Sequence, residues 1–393
     1  MERRISLPAW IFAGFLLLFP IDSALGTLSG PSVNNDIAVL CMAVTVLFYA
    51  DRVRFTRDLM TDVYIGYILF QTVSIVYGGA LFSDRNLLFL FYSVMALLLA
   101  HYSWSTAEKR LICAAILGGV LLAVALTAGQ VDFSGSGRLF LSLNRRMDPN
   151  YLCANLIFGT VLIAHLLFSV RSRMSRLLLR LLLAAEFGCI LAFGSRGGLL
   201  GNLAAALTVF WVHRRARPAA YWAAWAAALI GAAVWLRCAG LLPAWLTDRF
   251  DPVRMIQDGG AGRLTIWADY LRHYGGGSPG QLLFGYGRGA IYVPECGSAH
   301  CTHSIYLKAL IEGGMVGALL QLLLIAASFD RIRRSGNSEL YALLIGYCVC
   351  GLFLDLDDYR IFPLLMLLLS VFGQPSGKRM NEEENGICYC AGL

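Results

Sequence analysis

Charged side chains are scarce in this sequence. Asp, Glu, Lys and Arg make up 15% of the 393 residues, whereas 58% of the residues are hydrophobic. A soluble domain carries about 25% charged residues, so this shortage excludes an ordinary soluble protein. Apolar runs of about 20 residues, the length that crosses a bilayer as a helix, recur along the whole chain. We therefore expect an all-α, polytopic membrane protein in which residues 1–393 form a single integral membrane domain.

The apolar runs predict about 12 transmembrane helices. The seventh and eighth are joined only by Gly194-Ser195-Arg196-Gly197, which predicts a tight hairpin. The predicted spans cover residues 8–26, 35–50, 59–81, 87–103, 111–128, 150–170, 177–194, 198–213, 219–237, 304–328, 339–355 and 359–373.

Cations are few in the short connections that alternate with clusters of Lys and Arg. The connection 26–34 holds none, and the connection 82–86 holds only Arg85. The other connections carry clusters of Lys and Arg, which is the pattern of cytoplasmic loops. This alternation predicts a protein of the inner (cytoplasmic) membrane with both termini in the cytoplasm, a cytoplasmic tail over 374–393 and a large extracytoplasmic loop over 238–303. Most of the net charge of +7 follows from the same bias, so no nucleic-acid partner is implied.

One long polar segment, residues 240–319, stands out from the apolar chain. Polar groups beside or within a bilayer are costly and commonly mark a functional site. Apolar residues recur at helical spacing over Arg263–Tyr274, which predicts a short amphipathic helix on the membrane surface. In chain order, the distinctive sequences are Gly262-Arg263, Gly285-Tyr286-Gly287-Arg288-Gly289, His303-Ser304-Ile305-Tyr306-Leu307 and Glu312-Gly313-Gly314.

Several arginines lie on the predicted outer side, against the topological bias. Guanidinium binds phosphate bidentately and stays charged at any relevant pH, so the set predicts a basic vestibule for an anionic, lipid-linked substrate. Any single Arg could instead be a loop or snorkelling charge. Arg196, pinned in the hairpin, and Arg263, which opens the amphipathic helix, are the strongest candidates. The full outer set is Arg138, Arg145, Arg146, Arg196, Arg263, Arg288 and Arg360.

His303 is the candidate general base, because imidazole titrates near neutral pH and accepts a proton from an attacking hydroxyl. A helix-capping role is the alternative, and His300 is a nearby competitor. Glu312 lies about 13 Å deeper if the helix is regular, and it could pair with an Arg or act directly. We assign substrate binding to Arg138, Arg145, Arg288, Tyr306, Glu312 and Arg360.

The outer cysteines allow two interpretations. Cys296, His300, Cys301 and His303 have the residue types of a zinc cluster, but their spacing is not a standard one. A Cys296–Cys301 disulfide is favoured over that cluster and would brace the loop before His303. We predict no metal site and no cofactor for this protein.

The order and common sidedness of these sequences resemble those of the O-antigen ligase/polymerase superfamily. The resemblance covers roughly residues 130–320 and rests on Asp148-Pro149-Asn150-Tyr151-Leu152, Ser195-Arg196-Gly197, Gly262-Arg263 with Trp267, Gly285-Tyr286-Gly287-Arg288-Gly289, His303-Ser304-Ile305-Tyr306-Leu307 and Glu312-Gly313-Gly314.

This resemblance implies a GT-C-like, metal-independent glycosyltransferase that acts outside the cytoplasmic membrane in surface polysaccharide assembly. Such enzymes pass a glycan from undecaprenyl diphosphate to a glycan or lipid acceptor. By the resemblance, Arg196 and Arg263 bind the donor diphosphate and His303 activates the acceptor hydroxyl. Positive charge offsets the charge that develops on the leaving diphosphate, and attack from the opposite face implies inversion. The implied partners are the lipid-linked donor, the acceptor and membrane lipids.

Ligase and polymerase activities both remain open. A short first outer loop favours a ligase, as does the lack of an Arg-x15-Gly pattern from Arg263, where Pro279 occupies the glycine position. The Asp148-Pro149-Asn150 turn favours a polymerase. A secondary transporter with twelve spans is the alternative from another class. Transporters commonly have paired repeats with broken helices, which we do not find between the two halves of this sequence.

Overall fold

The computed structural model describes residues 4–25, 32–78, 83–130, 141, 143, 148–214, 240, 244–289, 301–356 and 360–373. These residues form helices and connections without a β-strand, which confirms the all-α expectation for this part of the chain. The helices are α1 Leu7–Leu18, α2 Asp22–Leu25, α3 Val33–Phe48, α4 Leu59–Tyr77, α5 Asp84–Ala100, α6 Thr106–Ala128, α7 Pro149–Asn155, α8 Ile157–Ser169, α9 Arg173–Ala192, α10 Arg196–Val212, α11 Ala244–Arg249, α12 Pro252–Gln257, α13 Arg263–Gly275, α14 Pro279–Phe284, α15 Ile305–Ser335, α16 Leu340–Gly351 and α17 Ile361–Phe372.

Among the described residues, four helical segments are long and apolar enough to cross a membrane: Leu59–Tyr77, Thr106–Ala128, Pro149–Ser169 and Ile305–Ser335. Described helices cover each predicted span except 219–237, which lies outside the described residues. Several of these helices are shorter than a full membrane crossing, so the number of twelve spans stays a prediction.

The described helices combine an apolar core with an apolar exterior. Helix α8 is central, and every residue from Ile157 to Leu166 is buried. The surrounding helices leave large apolar side chains exposed, including Leu47, Leu69 and Leu207. An apolar exterior around buried polar groups is what helices in contact with lipid require.

Helix α15 differs from the predicted span 304–328 in length and in shape. It extends to Ser335 and is broken at Gly314, where φ is 61° and ψ is −162°. A Cβ atom at Gly314 would lie 2.4 Å from the carbonyl oxygen of Leu283, so only glycine fits. The break places the segment after α14 against α15: the backbone amide of Tyr286 donates to the Ile311 carbonyl at 2.9 Å. The sequence did not predict this break, because it depends on a contact between distant segments.

The predicted amphipathic helix is present as α13, Arg263–Gly275. Its apolar face packs inward, since Tyr270 is fully buried beside Ile311 of α15. Leu264 and Leu271 remain exposed on the same helix. Helix α13 therefore joins the loop to the start of α15 and still presents an apolar edge.

Candidate functional site

The predicted hairpin between α9 and α10 is confirmed. Gly194 turns the chain with φ of 60°, and the Ser195 hydroxyl caps α10 by accepting from the Gly198 amide at 3.2 Å. The same hydroxyl donates to Asn150 Oδ1 at 2.9 Å. Asn150 is the second residue of α7, and Asp148 of the same predicted turn caps this helix. Two of the distinctive sequences therefore meet at this end of α10.

Arg196 is the first residue of α10, and its side chain is buried. Its Nε donates to the Arg249 carbonyl at 2.7 Å, and its Nη1 lies 3.2 Å from Asp258 Oδ2. The carboxylate of Asp258 is 40% exposed, so it partly neutralises Arg196 from the solvent side. The hairpin arginine is thus held by the large loop.

Two further arginines lie close to Arg196. Arg249, the last residue of α11, donates from Nε to the Gly194 carbonyl at 3.0 Å. Burial lowers the pKa of the Arg263 guanidinium, and the charges of Arg249 and Arg196 lower it further. We call Arg196, Arg249 and Arg263 the guanidinium cluster. Three like charges gathered beside one half-exposed carboxylate create a field that favours an anion.

The residues before Arg263 form a left-handed turn. Gly259, Gly260, Ala261 and Gly262 all have positive φ, and the Ala261 amide donates to Asp258 Oδ1 at 2.8 Å. This conformation is unfavourable for Ala261 because its Cβ crowds the backbone. The Arg263 side chain folds back over the turn, where its Nη1 donates to the Gly260 carbonyl at 3.3 Å. Arg263 Nε is buried and has no hydrogen-bond partner among the described residues.

A buried carboxylate fixes the backbone at His303. Asp355 accepts from the Thr302 hydroxyl at 2.6 Å and from the amides of His303 and Ser304 at 3.1 and 2.9 Å. His303 has φ of 50°, which is uncommon for a residue with a Cβ. Trp267 of α13 donates from Nε1 to the Thr302 carbonyl at 2.8 Å. The contacts of Asp355 and Trp267 with residues 302–304 therefore fix the backbone position of His303, the predicted base.

The short segment Phe353–Asp355 connects the arginines with this histidine. The Phe353 side chain packs on Gly197, next to the hairpin arginine, where an added Cβ would lie 2.8 Å from Phe353 Cβ. The Arg263 guanidinium lies over the Phe353 ring, 5.9 Å from its centroid. Two residues later, Asp355 binds the backbone of His303. One segment thus contacts the surroundings of all three predicted catalytic residues.

Arg288 occupies a different environment. It is almost fully buried, its guanidinium lies 3.9 Å from the Phe89 ring centroid, and Nη1 donates to Gln71 Oε1 at 3.3 Å. Its amide donates to the Ser74 carbonyl of α4 at 3.2 Å. These contacts anchor the glycine-rich segment to α4 and α5.

Glu312 also has protein partners. Its Oε1 accepts from the Gly289 amide at 2.7 Å, and its Oε2 lies 3.9 Å from Lys308 Nζ on the same helix. The sequence allowed Glu312 either an Arg partner or direct chemistry. Glu312 therefore contacts a lysine and a backbone amide, and Lys308 and Glu312 are two buried charged side chains close to the break in α15.

The remaining predicted substrate-binding residues have other surroundings. The Tyr306 hydroxyl donates to the Cys348 carbonyl of α16 at 3.0 Å. Arg360 pairs with Asp22 and donates to Asn35 Oδ1 at 2.6 Å. Arg138 and Arg145 lie outside the described residues.

The predicted Cys296–Cys301 disulfide is wrong, because Cys301 is a free thiol. Its sulfur lies 3.4 Å from His303 Nδ1. Burial, together with the nearby Asp355, raises the pKa of Cys301 to about 12, so the thiol form is favoured. Cys296 and His300 themselves lie outside the described residues.

Sequence reasoning missed Arg249, Asp258, Lys308 and Asp355. Arg249 and Asp258 stand singly in a polar loop and carry no recognisable pattern. Lys308 and Asp355 had a usable signal, since a charge within or at the end of an apolar run is costly and marks a polar contact. Compared with models of known protein families and with curated proteins, the chain matches none.

Proposed function

We propose that this protein transfers a glycan from a polyprenyl diphosphate to an acceptor hydroxyl on the extracytoplasmic side of a membrane, as a ligase of surface polysaccharide assembly. The observation that carries the proposal is the contact of Phe353–Asp355 with the surroundings of Arg196, Arg263 and His303. A cationic cluster and an imidazole held by one segment suit the transfer of a group from a diphosphate leaving group.

The chemistry follows from the two parts. The guanidinium cluster binds the diphosphate and offsets the negative charge that grows on it as the anomeric C–O bond breaks. The acceptor oxygen forms the new bond to the anomeric carbon from the opposite face, and His303 takes the proton of its hydroxyl. The electron pair of the broken bond stays on the diphosphate, so the product has inverted stereochemistry.

The membrane setting rests on the long apolar helices and the apolar exterior. We infer twelve spans in a GT-C-like arrangement with cytoplasmic termini. Residues predicted to lie on the same side of the membrane contact one another, which supports this topology. Asn150 and Ser195, both predicted outside, share a hydrogen bond, and Glu108 contacts Ser6 and Arg52, all three near predicted cytoplasmic ends.

Glycan transfer in cells tests the proposal. In a deletion strain, glycan chains should accumulate on the lipid carrier, and the wild-type gene should restore transfer. His303→Ala should reach the membrane at a normal level and fail to restore it, because the acceptor hydroxyl loses its base. The control His273→Ala changes a histidine of α13 whose ring lies beside Tyr286.

Restoration by His303→Ala would remove His303 as the base. Single repeat units on the final acceptor would identify a polymerase instead of a ligase. Normal glycans together with a defect in solute uptake or export would indicate a transporter.

A further inference from the structure

The ends of α8, α10 and α16 that lie away from the guanidinium cluster bring together His165, His213 and Glu339. The nitrogen and oxygen atoms that these side chains offer all lie within 4.8 Å of one another. Helix α10 begins at Arg196 and has His213 immediately after its end, so about 25 Å of helix separates this group from the cluster. We propose that His165, His213 and Glu339 bind a divalent transition-metal ion, with Zn²⁺ as the best fit.

The distances match a tetrahedral zinc site. Glu339 Oε1 lies 3.4 Å from His165 Nδ1 and 3.3 Å from His213 Nε2. Zinc bonds of about 2.0–2.1 Å place two tetrahedral ligands about 3.3–3.4 Å apart. Two of the three ligand pairs therefore have the spacing that the ion needs, and water completes the fourth position.

The hydrogen bonds of His165 leave the correct nitrogen for a metal. The Ser169 hydroxyl lies 3.3 Å from the His165 carbonyl and 2.9 Å from Nε2. In the tautomer that carries Nε2–H, the hydroxyl donates to the carbonyl and accepts from Nε2–H. The lone pair is then on Nδ1, which faces a carboxylate oxygen. His165 is 2% exposed, and its Nδ1 has no aligned hydrogen-bond partner among the described residues. A cation between these electron-rich atoms removes their repulsion.

The surroundings hold the ligands in place. A metal-binding histidine commonly donates its second ring nitrogen to a neighbouring group, and Ser169 has that role for His165. The Phe168 ring stacks on His213 with centroids 4.4 Å apart and planes at 12°. The bound ion would cross-link three helices, two of which also contribute to the outer site.

Metal titration of the purified, full-length protein in detergent tests the site. After removal of metal with a chelator, Zn²⁺ is added in competition with a chromogenic chelator, and bound metal is counted. We expect one zinc ion per chain, and Co²⁺ should give the visible absorption of a tetrahedral site. His213→Gln should weaken zinc binding more than 100-fold, and Ser169→Ala by about 10-fold, the range known for such supporting residues.

His101→Gln is the matched control, because His101 bonds the Leu97 and Thr56 carbonyls and should not affect zinc. Zinc should also raise the melting temperature of the wild type and not that of His213→Gln. Two results would overturn the proposal in favour of a protonated histidine pair. One is no zinc binding by the wild type at micromolar zinc. The other is zinc binding by His213→Gln and Glu339→Gln that equals binding by the wild type. These readouts do not depend on glycan transfer.

Discussion

The guanidinium cluster and the Arg52–Glu108 pair use the same side chain in opposite ways. Arg52 donates both terminal nitrogens to Glu108, at 3.0 and 2.9 Å, and the carboxylate also accepts from Ser6 and Ser105. Arg196 pairs with the half-exposed Asp258, whose charge also acts on Arg249, and Arg263 lies within reach of the charges of both arginines. The first arrangement is complete within the protein, whereas the second has an excess of positive charge. The difference separates an arginine that stabilises the fold from arginines that, in our proposal, bind the donor diphosphate.

Arg52→Ala should have the largest effect, and it should act on stability. Its removal leaves Glu108 buried without its cation, which costs about 3–5 kcal/mol. The free energy of unfolding, measured by SDS titration in mixed micelles, should fall by that amount, while the donor KM of the folded fraction stays constant. Arg57→Ala is the control, because the Arg57–Asp62 pair is exposed. Equal free energies of unfolding for Arg52→Ala and Arg57→Ala would contradict the view that the Arg52–Glu108 pair stabilises the fold.

Arg263→Ala should lower the rate of glycan transfer by about 100- to 1,000-fold, the loss typical of one group that stabilises a developing negative charge. Stability should be unchanged or higher, because one like charge leaves the cluster. Arg263→Lys should restore little of the activity, since lysine lacks the bidentate fork. Full rescue by lysine would show that a point charge is sufficient.

Arg360→Ala tests whether Arg360 binds the substrate, as its predicted outer position suggests, or stabilises the fold through its ion pair with Asp22. The sequence assigned Arg360 to the substrate, but its pairing with Asp22 makes it similar to Arg52. We expect a loss of about 3 kcal/mol in the free energy of unfolding, because Asp22 stays buried without its cation. Donor KM should change less than about threefold, or by well under 1 kcal/mol. Weak donor use at normal stability would restore the original assignment.

Asp258→Asn should have the smallest effect. Asparagine keeps an acceptor for the Ala261 amide but removes the carboxylate that offsets Arg196. We expect the donor KM to fall by about two- to fivefold, since an exposed ion pair contributes only weakly. The effect should shrink at high salt, and a KM that rises would indicate that Asp258 acts by ordering the turn.

Local features of the fold were predictable, and contacts between distant segments were not. The start of α13 at Arg263 follows from apolar spacing, and the hairpin at Gly194 follows from two apolar runs with four residues between them. The break at Gly314 depends on Leu283, which no periodicity connects to it. Helix length also escaped prediction, since α15 continues past its apolar part to Ser335.

The candidate site was predictable to a similar degree. Arg196, Arg263 and His303 have local settings that single them out. Arg249 does not, because its role depends on the approach of the Gly194 carbonyl. Asp355 could have been noticed as a charge at the end of an apolar run, but only the folded chain reveals which amides donate to it.

The segment Phe353–Asp355 is synthesised after every described element that it joins. Chains leave the ribosome from the N-terminus, so the segments with Arg196 and Arg263 are synthesised before Phe353. Until then, the Thr302 hydroxyl and the His303 amide lack the carboxylate that accepts from them. Assembly of the site is therefore a late step of biogenesis. A nascent chain released before Asp355 would contain the guanidinium cluster and His303 but would lack the carboxylate that binds the backbone at His303.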